Sequence, residues 1–272
     1  ISWIIGFIVI GTIAYNYIEI GTMFPQSGGM SNYAQYTHGS LLGFIAAWAN
    51  WVSLVTIIPI EAVSAVQYMS SWPWEWAKPM GALMKDGSIS TIGLFAVYVI
   101  IAIFSLLNYW SVKLLTSFTS LISVFKLGVP LLTIIMLMIS GFDTNNYGHS
   151  ASAFMPYGSA PIFAATTTSG IIFSFNAFQT IINMGSEIKN PEKNIARGIA
   201  ISLTLSAILY IVLQSTFITS MPSSMIHEHG WNGINFNSPF ADMAILLGIN
   251  WLAILLYVEA VVSPFGTGVS FV

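Results

Sequence analysis

Four side chains able to hydrogen-bond, Asn176, Gln179, Thr180 and Asn183, fall inside an apolar stretch over residues 170–198, GIIFSFNAFQTIINMGSEIKNPEKNIARG. The same stretch then leaves through Glu187, Lys189, Glu192, Lys193 and Arg197. A side-chain amide in hydrocarbon is costly unless it faces protein, water or a ligand. A span that accepts this cost and exits into a cationic loop reads as a pathway element rather than an anchor.

Other ionisable groups pose the same question. Lys126 lies mid-span in SLISVFKLGVPLL, where a lysine must pair with carbonyls or an anion, lose its proton, or snorkel along its stem. Glu19, Glu61 and Glu259 are the acids of the apolar stretches. Glu61 follows Pro59 and is expected towards the outer vestibule. Glu259, in YVEAVVSP, is a candidate for proton coupling or for shaping a side-chain pocket, with plain bundle packing as the alternative.

The elements that must position these groups are membrane helices. The chain has 272 residues, 56% of them hydrophobic and 6% charged, with a mean hydropathy of +0.79. Soluble domains carry about 25% charged residues. A helix needs roughly 20 mostly apolar residues to cross the hydrocarbon core. About seven stretches qualify, at 1–23, 41–69, 90–110, 115–140, 160–186, 198–220 and 243–269, which predicts an all-α polytopic bundle.

The apolar runs at both ends, with no initiator Met, predict a piece of a longer protein. The absence of cysteine excludes disulfides and thiolate metal sites within these residues, and a net charge of −3 gives no reason to invoke nucleic acid. With seven spans, the loops at 24–40, 111–114 and 188–197 hold Lys113, Lys189, Lys193 and Arg197, whereas the opposite set holds Lys78 and Lys85. The bias makes the first set cytoplasmic.

Pro25 and the Gly28–Gly29 pair predict a tight turn after the first span, followed by a short interfacial helix through His38. Pro59 predicts a kink, and SSWPWEWAKPMG reads as an interfacial aromatic belt. The loops at 142–161 and 222–239 read as irregular. His38, His149, His227 and His229 fall in loops, and the His-Glu-His run at 227–229 reads as a solvated loop rather than a chelate. No HExxH, G-x-S-x-G or P-loop motif occurs, so neither an enzyme nor an ATP-driven pump is expected, and no cofactor or metal is called for.

Three stretches resemble the amino acid–polyamine–organocation (APC) permease family: YIEIGTMFPQSGGMSNY at 17–33, IIFSFNAFQTIINMGSEIKNPEKNIARGI at 171–199 and VVSPFGTGVSF at 261–271. They are similar to that family's second helix, its sixth helix with the loop after it, and its eighth helix. The resemblance covers essentially all of residues 1–272. It implies one transporter-domain fragment of a LeuT-type five-plus-five inverted-repeat fold, with the first helix and the C-terminal helices outside it.

By the same resemblance, a midplane substrate site forms where broken helices meet. Phe173 stands at the gating aromatic, Ser174, Phe175 and Asn176 in the unwound segment, and Ala177 and Phe178 complete the hinge. If the backbone unwinds there, free carbonyls accept hydrogen bonds from a substrate ammonium; the alternative is a continuous helix with buried amides. The family usually has Gly at Ala177 and often Glu at Gln179. Lys126 corresponds to a lysine that stands where sodium-coupled relatives bind sodium, as a fixed tether or a titrating switch. Ser263 and Thr267 present hydroxyls to it or serve close packing. Glu19, Pro25, Gly28, Gly29, Glu187, Asn190 and Pro191 are motif residues of structural role, with Glu19 expected in a pair.

These readings imply a secondary amino acid permease of the cell membrane, multi-pass, working by alternating access. It is expected to be sodium-independent and driven by protons or exchange. Its partners are an amino acid, as small-molecule substrate, and the lipid bilayer. The alternative is a membrane amino acid sensor that binds without transporting.

Overall fold

The computed structural model describes residues 1–110 and 112–271, with side chains described except at 110, 112–119, 151 and 152. Of the expected connector at 111–114, Ser111 and the Lys113 side chain lie outside the described residues, as does the terminal Val272, while the backbone from Val112 is already helical.

In chain order the helices are α1 (Ser2–Met23), α2 (Gly29–His38), α3 (Ser40–Val55), α4 (Ile57–Ser70), α5 (Thr91–Trp110) and α6 (Val112–Ser140). After them come α7 (Ala151–Phe154), α8 (Ala160–Thr167), α9 (Thr180–Asn183), α10 (Pro191–Ser220), α11 (Ser223–Gly233), α12 (Pro239–Leu246) and α13 (Asn250–Phe271). Short 3₁₀ turns occupy Glu75–Leu83, Thr144–Tyr147, Phe173–Phe175 and Gly185–Glu187. Among the described residues, six helical runs are long and apolar enough to cross a membrane: Ser2–Met23, Ser40–Ser70, Thr91–Tyr109, Ser120–Ser140, Pro191–Ser220 and Asn250–Phe271. Phe95, Leu121 and Ile139 on these helices are at least 70% exposed, which suits lipid as their solvent.

The seventh predicted span, 160–186, is not one helix. Its longest piece is α8, at 8 residues. At 1.5 Å per residue that is about 12 Å, against roughly 30 Å of hydrocarbon. The predicted span at 243–269 is likewise divided, with Gly248 at φ +75° between α12 and α13.

Two compact units make up the chain, residues 1–51 with 147–215 and residues 52–146 with 216–272. In the first, Ile10 and Ala14 of α1, Tyr33 of α2, Phe175, Ile182 and the Ile195, Ile199 and Leu203 face of α10 form one apolar core. In the second, α4, α5 and α13 bury Ala62, Ala65, Val66, Val97, Phe104 and Val269 together. A further cluster joins Leu137, Met221, Met243, Leu252 and Tyr257.

Local sequence explains several departures from expectation. Pro59 has no N–H to donate to Val55, so the break falls a turn earlier, at Thr56 between α3 and α4. The 222–239 loop contains α11, which carries His227 and His229 and kinks at Gly230, φ +62°. Residues 142–161 include a 3₁₀ turn and α7. A small hairpin, β1 (Met84–Lys85) and β2 (Ser88–Ile89), turns through Asp86 at φ +50° and Gly87 at φ +76°, the positive pair that an Asp-Gly hairpin uses. Ring centroids of Trp72, Trp74 and Trp76 lie 5.3–5.6 Å apart, and Trp72 Nε1 donates to the Tyr257 carbonyl at 3.2 Å.

Candidate substrate and coupling sites

In the first unit, the helical ladder fails between α8 and α9. Asn176 is extended at ψ 175°, and Ala177 takes the left-handed φ of +74°. Among the described residues, the carbonyls of Phe175 and Asn176 accept no backbone hydrogen bond, and the amides of Ala177, Phe178 and Gln179 donate none. An orphaned backbone group in hydrocarbon costs several kcal/mol, so such a stretch persists only against protein or a polar cavity.

Packing holds the break open. Phe175 is buried among the rings of Trp3, Phe7 and Tyr210, with centroids 5.5–6.3 Å away. Its side chain belongs to the core; its carbonyl is the part that remains available. Tyr210 also donates its hydroxyl to the Ser174 carbonyl at 3.2 Å. Phe178 meets Tyr17 edge to face at 5.6 Å, whereas Phe173 is 53% exposed. Across the gap, Gln179 Nε2 donates to Asn176 Oδ1 at 3.1 Å. Gln179 Oε1 and Thr180 Oγ1 are buried without a partner. A buried polar atom left without a partner costs about 1–3 kcal/mol.

The second unit holds a cavity of about 330 Å³ lined by Glu61, Ser64 and Tyr68 of α4, Ser238 before α12, and Glu259, Ser263 and Thr267 of α13. The start of α12 is fixed by Asp242, which accepts from the Ser238 amide at 3.1 Å and from the Tyr257 hydroxyl at 3.0 Å. Ser238 Oγ lies 3.0 Å from Ser71 Oγ. Lys126 of α6 donates its ammonium to Thr267 Oγ1 and lies within Coulombic reach of both Glu61 and Glu259.

The Pro-x-Gly-Thr-Gly run explains that contact. A Cβ on Gly266 would stand 2.4 Å from Ile122, and one on Gly268 would stand 2.2 Å from the Phe104 ring. Only glycine lets α13 come this close to α5 and α6. Lys126 is one turn beyond Ile122 on α6 and so meets the residue between the glycines.

The motif residues fall into two groups. Asn190, at φ +49°, accepts from the amides of Lys193 and Asn194, and Pro191 opens α10 with Glu192 in its first turn. Asn-Pro-Glu is thus a helix start, with proline where its missing N–H costs nothing and an acid at the positive end. Glu187 ends the 3₁₀ turn Gly185–Glu187 and is exposed. Pro25, Gly28 and Gly29 form the turn between α1 and α2, and Gly28 N donates to the Asn183 carbonyl at 3.1 Å. The pair expected for Glu19 is not formed: it is exposed and, among the described residues, joins no ion pair. Nor do Lys189, Lys193 and Arg197.

In the first unit Phe173 to Phe178 lie at the break; in the second, Glu259 and Ser263 line the cavity, and Lys126 bonds to Thr267, which also lines it. Glu61 stands on the same cavity as Glu259, a grouping the sequence reading did not make. Tyr210 was also missed; a lone tyrosine within an apolar run carried no signal of its partner.

Across residues 1–272 the chain matches the family described as amino acid permease. The chain belongs to that family. Among curated relatives, it is 51% identical over 271 residues to the glutamate/serine transporter AimA of Bacillus subtilis (strain 168), covering 100% of this chain and 50% of the relative. It is 36% identical over 271 residues to the aspartate-proton symporter of the same organism, covering 98% of this chain and 50% of that protein. A methylthioribose transporter, also of Bacillus subtilis (strain 168), is 26% identical over 253 residues, 92% of this chain and 53% of the relative. The chain spans about half the length of these relatives. Permease membership and the six long apolar helices together make it part of a multi-pass, all-α membrane protein of the family's LeuT-type fold.

Proposed function

We propose that these residues belong to a single transporter domain of a longer secondary amino acid permease of the cell membrane, with glutamate, aspartate or serine as cargo. The observation that carries this reading is the broken segment 173–178. Its unbonded carbonyls at Phe175 and Asn176 suit a substrate ammonium, and the amides beside them add donors. The likeness to a glutamate/serine transporter and an aspartate-proton symporter supports the substrate class. No nucleophile-and-base arrangement is invoked; the chain moves its substrate unchanged.

Coupling rests on the second unit. Glu61 and Glu259 line one cavity, with Lys126 as the nearby ammonium. Fully ionised, the three carry one net negative charge within the membrane; one bound proton neutralises them. Carrying an anionic amino acid with a proton is therefore electrostatically coherent, and Lys126 supplies a fixed cation in place of sodium.

The test is uptake of radiolabelled L-glutamate, L-aspartate and L-serine by the full-length protein in proteoliposomes. Saturable uptake, driven by an inward proton gradient and indifferent to sodium, is expected. Sodium-dependent uptake, or binding with no accumulation, would refute it.

A further inference from the structure

The lower half of the broken segment cannot hold itself in place. α9 is a helix of 4 residues, too short to pair most of its own backbone N–H and C=O groups. What meets it is the turn between α1 and α2. Gly28 N donates to the Asn183 carbonyl at 3.1 Å, Ser27 and Met184 form an isolated antiparallel bridge, and the Ser27 and Ser186 hydroxyls hydrogen-bond each other.

This contact is close on both sides. A Cβ on Gly29 would lie 2.4 Å from Asn183 Oδ1, and Gly29 has φ +42°. A Cβ on Gly185 would lie 3.1 Å from the Pro25 carbonyl carbon. The turn is itself braced from α2: Asn32 Nδ2 donates to the Ser27 carbonyl at 2.7 Å, and Tyr33 donates to the Phe24 carbonyl at 3.1 Å. Burial pushes the Tyr33 phenol up from its ordinary value, which keeps that donor protonated.

We propose that the Pro-Gln-Ser-Gly-Gly turn is a clasp on the broken helix. Gly29 and Ser27 act as positioning residues for α9, and the clasp stays shut throughout the transport cycle. The backbone bond and the isolated bridge tie the exit of the broken segment to the end of α1. The proposal rests on the transport reading above.

A paired-cysteine experiment tests it. The 272 residues hold no cysteine, so Ser27→Cys with Ser186→Cys introduces one defined pair. It is made in the full-length protein, with any cysteine elsewhere replaced by serine. The two hydroxyls already touch, so oxidation should form a disulfide, read by mass spectrometry. Oxidised and reduced protein should then take up radiolabelled L-glutamate at rates within about twofold of each other, a margin below one tenfold step of 1.4 kcal/mol. Failure of the disulfide to form, or a block on oxidation that reductant reverses, would overturn the clasp. Absence of uptake in the unsubstituted protein would instead overturn the transport reading.

A second arm uses Gly29→Ala, with rates normalised to folded protein. A positioning role lowers the maximal rate several-fold and leaves KM unchanged, because Phe175 and Asn176 are untouched. An unchanged rate per folded molecule would contradict it.

Discussion

Lys126 of α6 bonds to Thr267 of α13, and Thr267 sits between the two glycines whose missing side chains admit Ile122 and Phe104. Charge placement and close packing are therefore one feature here. Placing a lysine ammonium at mid-membrane costs about 2.5–3.5 kcal/mol on insertion scales, and a hydroxyl with two acids in reach offsets it. Lys126→Ala in the full-length protein should abolish uptake while expression persists. Lys126→Arg should not restore it, since the planar guanidinium does not replace a compact ammonium. Unchanged uptake by Lys126→Ala would remove the coupling role.

Glu61 and Glu259 should be separable from substrate binding. Glu61→Gln and Glu259→Gln, made singly, are expected to lose proton-driven accumulation of L-glutamate while keeping counterflow. The measurement is uphill uptake under an imposed pH gradient set against exchange without one. Proton-driven uptake surviving in both variants would show that this cavity does not couple.

The glycine contacts predict a stability effect. Gly268→Ala puts a methyl into the Phe104 ring, and overpacking of this kind costs about 1–3 kcal/mol. Thermal unfolding of the detergent-solubilised protein should shift down, and adding Phe104→Leu should recover part of the loss. A neutral Gly268→Ala would mean that α13 relaxes away freely.

Ala177 holds a left-handed backbone that costs an alanine about 1–2 kcal/mol. Ala177→Gly should therefore raise the midpoint of thermal unfolding and retain uptake, while Ala177→Val should lower it. If glycine destabilises the protein, position 177 is not strained in the way the geometry requires.

Much of this was legible from residue types. Length and hydropathy located the long spans, and Pro25 with Gly28 and Gly29 announced a turn, whereas the break at 173–178 came from the family resemblance, since the amides of Asn176 and Gln179 alone also suit a continuous helix. Hydropathy could not tell a broken membrane segment from a whole one, because residues 160–186 are apolar either way. Asn190-Pro191 was recognised as a motif, but its role as a helix start follows from backbone geometry. Glu19 finds no ion pair among the described residues, and the grouping of Glu61 with Glu259 was not legible, for one reason: sequence gives an ionisable group's depth, while its partner depends on helix rotation. Thr267 and Lys126 were put near each other by family resemblance, and the glycine contacts supply the physical cause.

A structure of the full-length protein with bound L-glutamate would decide whether the broken segment holds the amino acid. The ammonium nitrogen should lie within hydrogen-bond distance, about 3 Å, of the Phe175 or Asn176 carbonyl, with the ladder still open at Ala177. A continuous helix from residue 162 to 186, or a substrate ammonium held elsewhere, would contradict it.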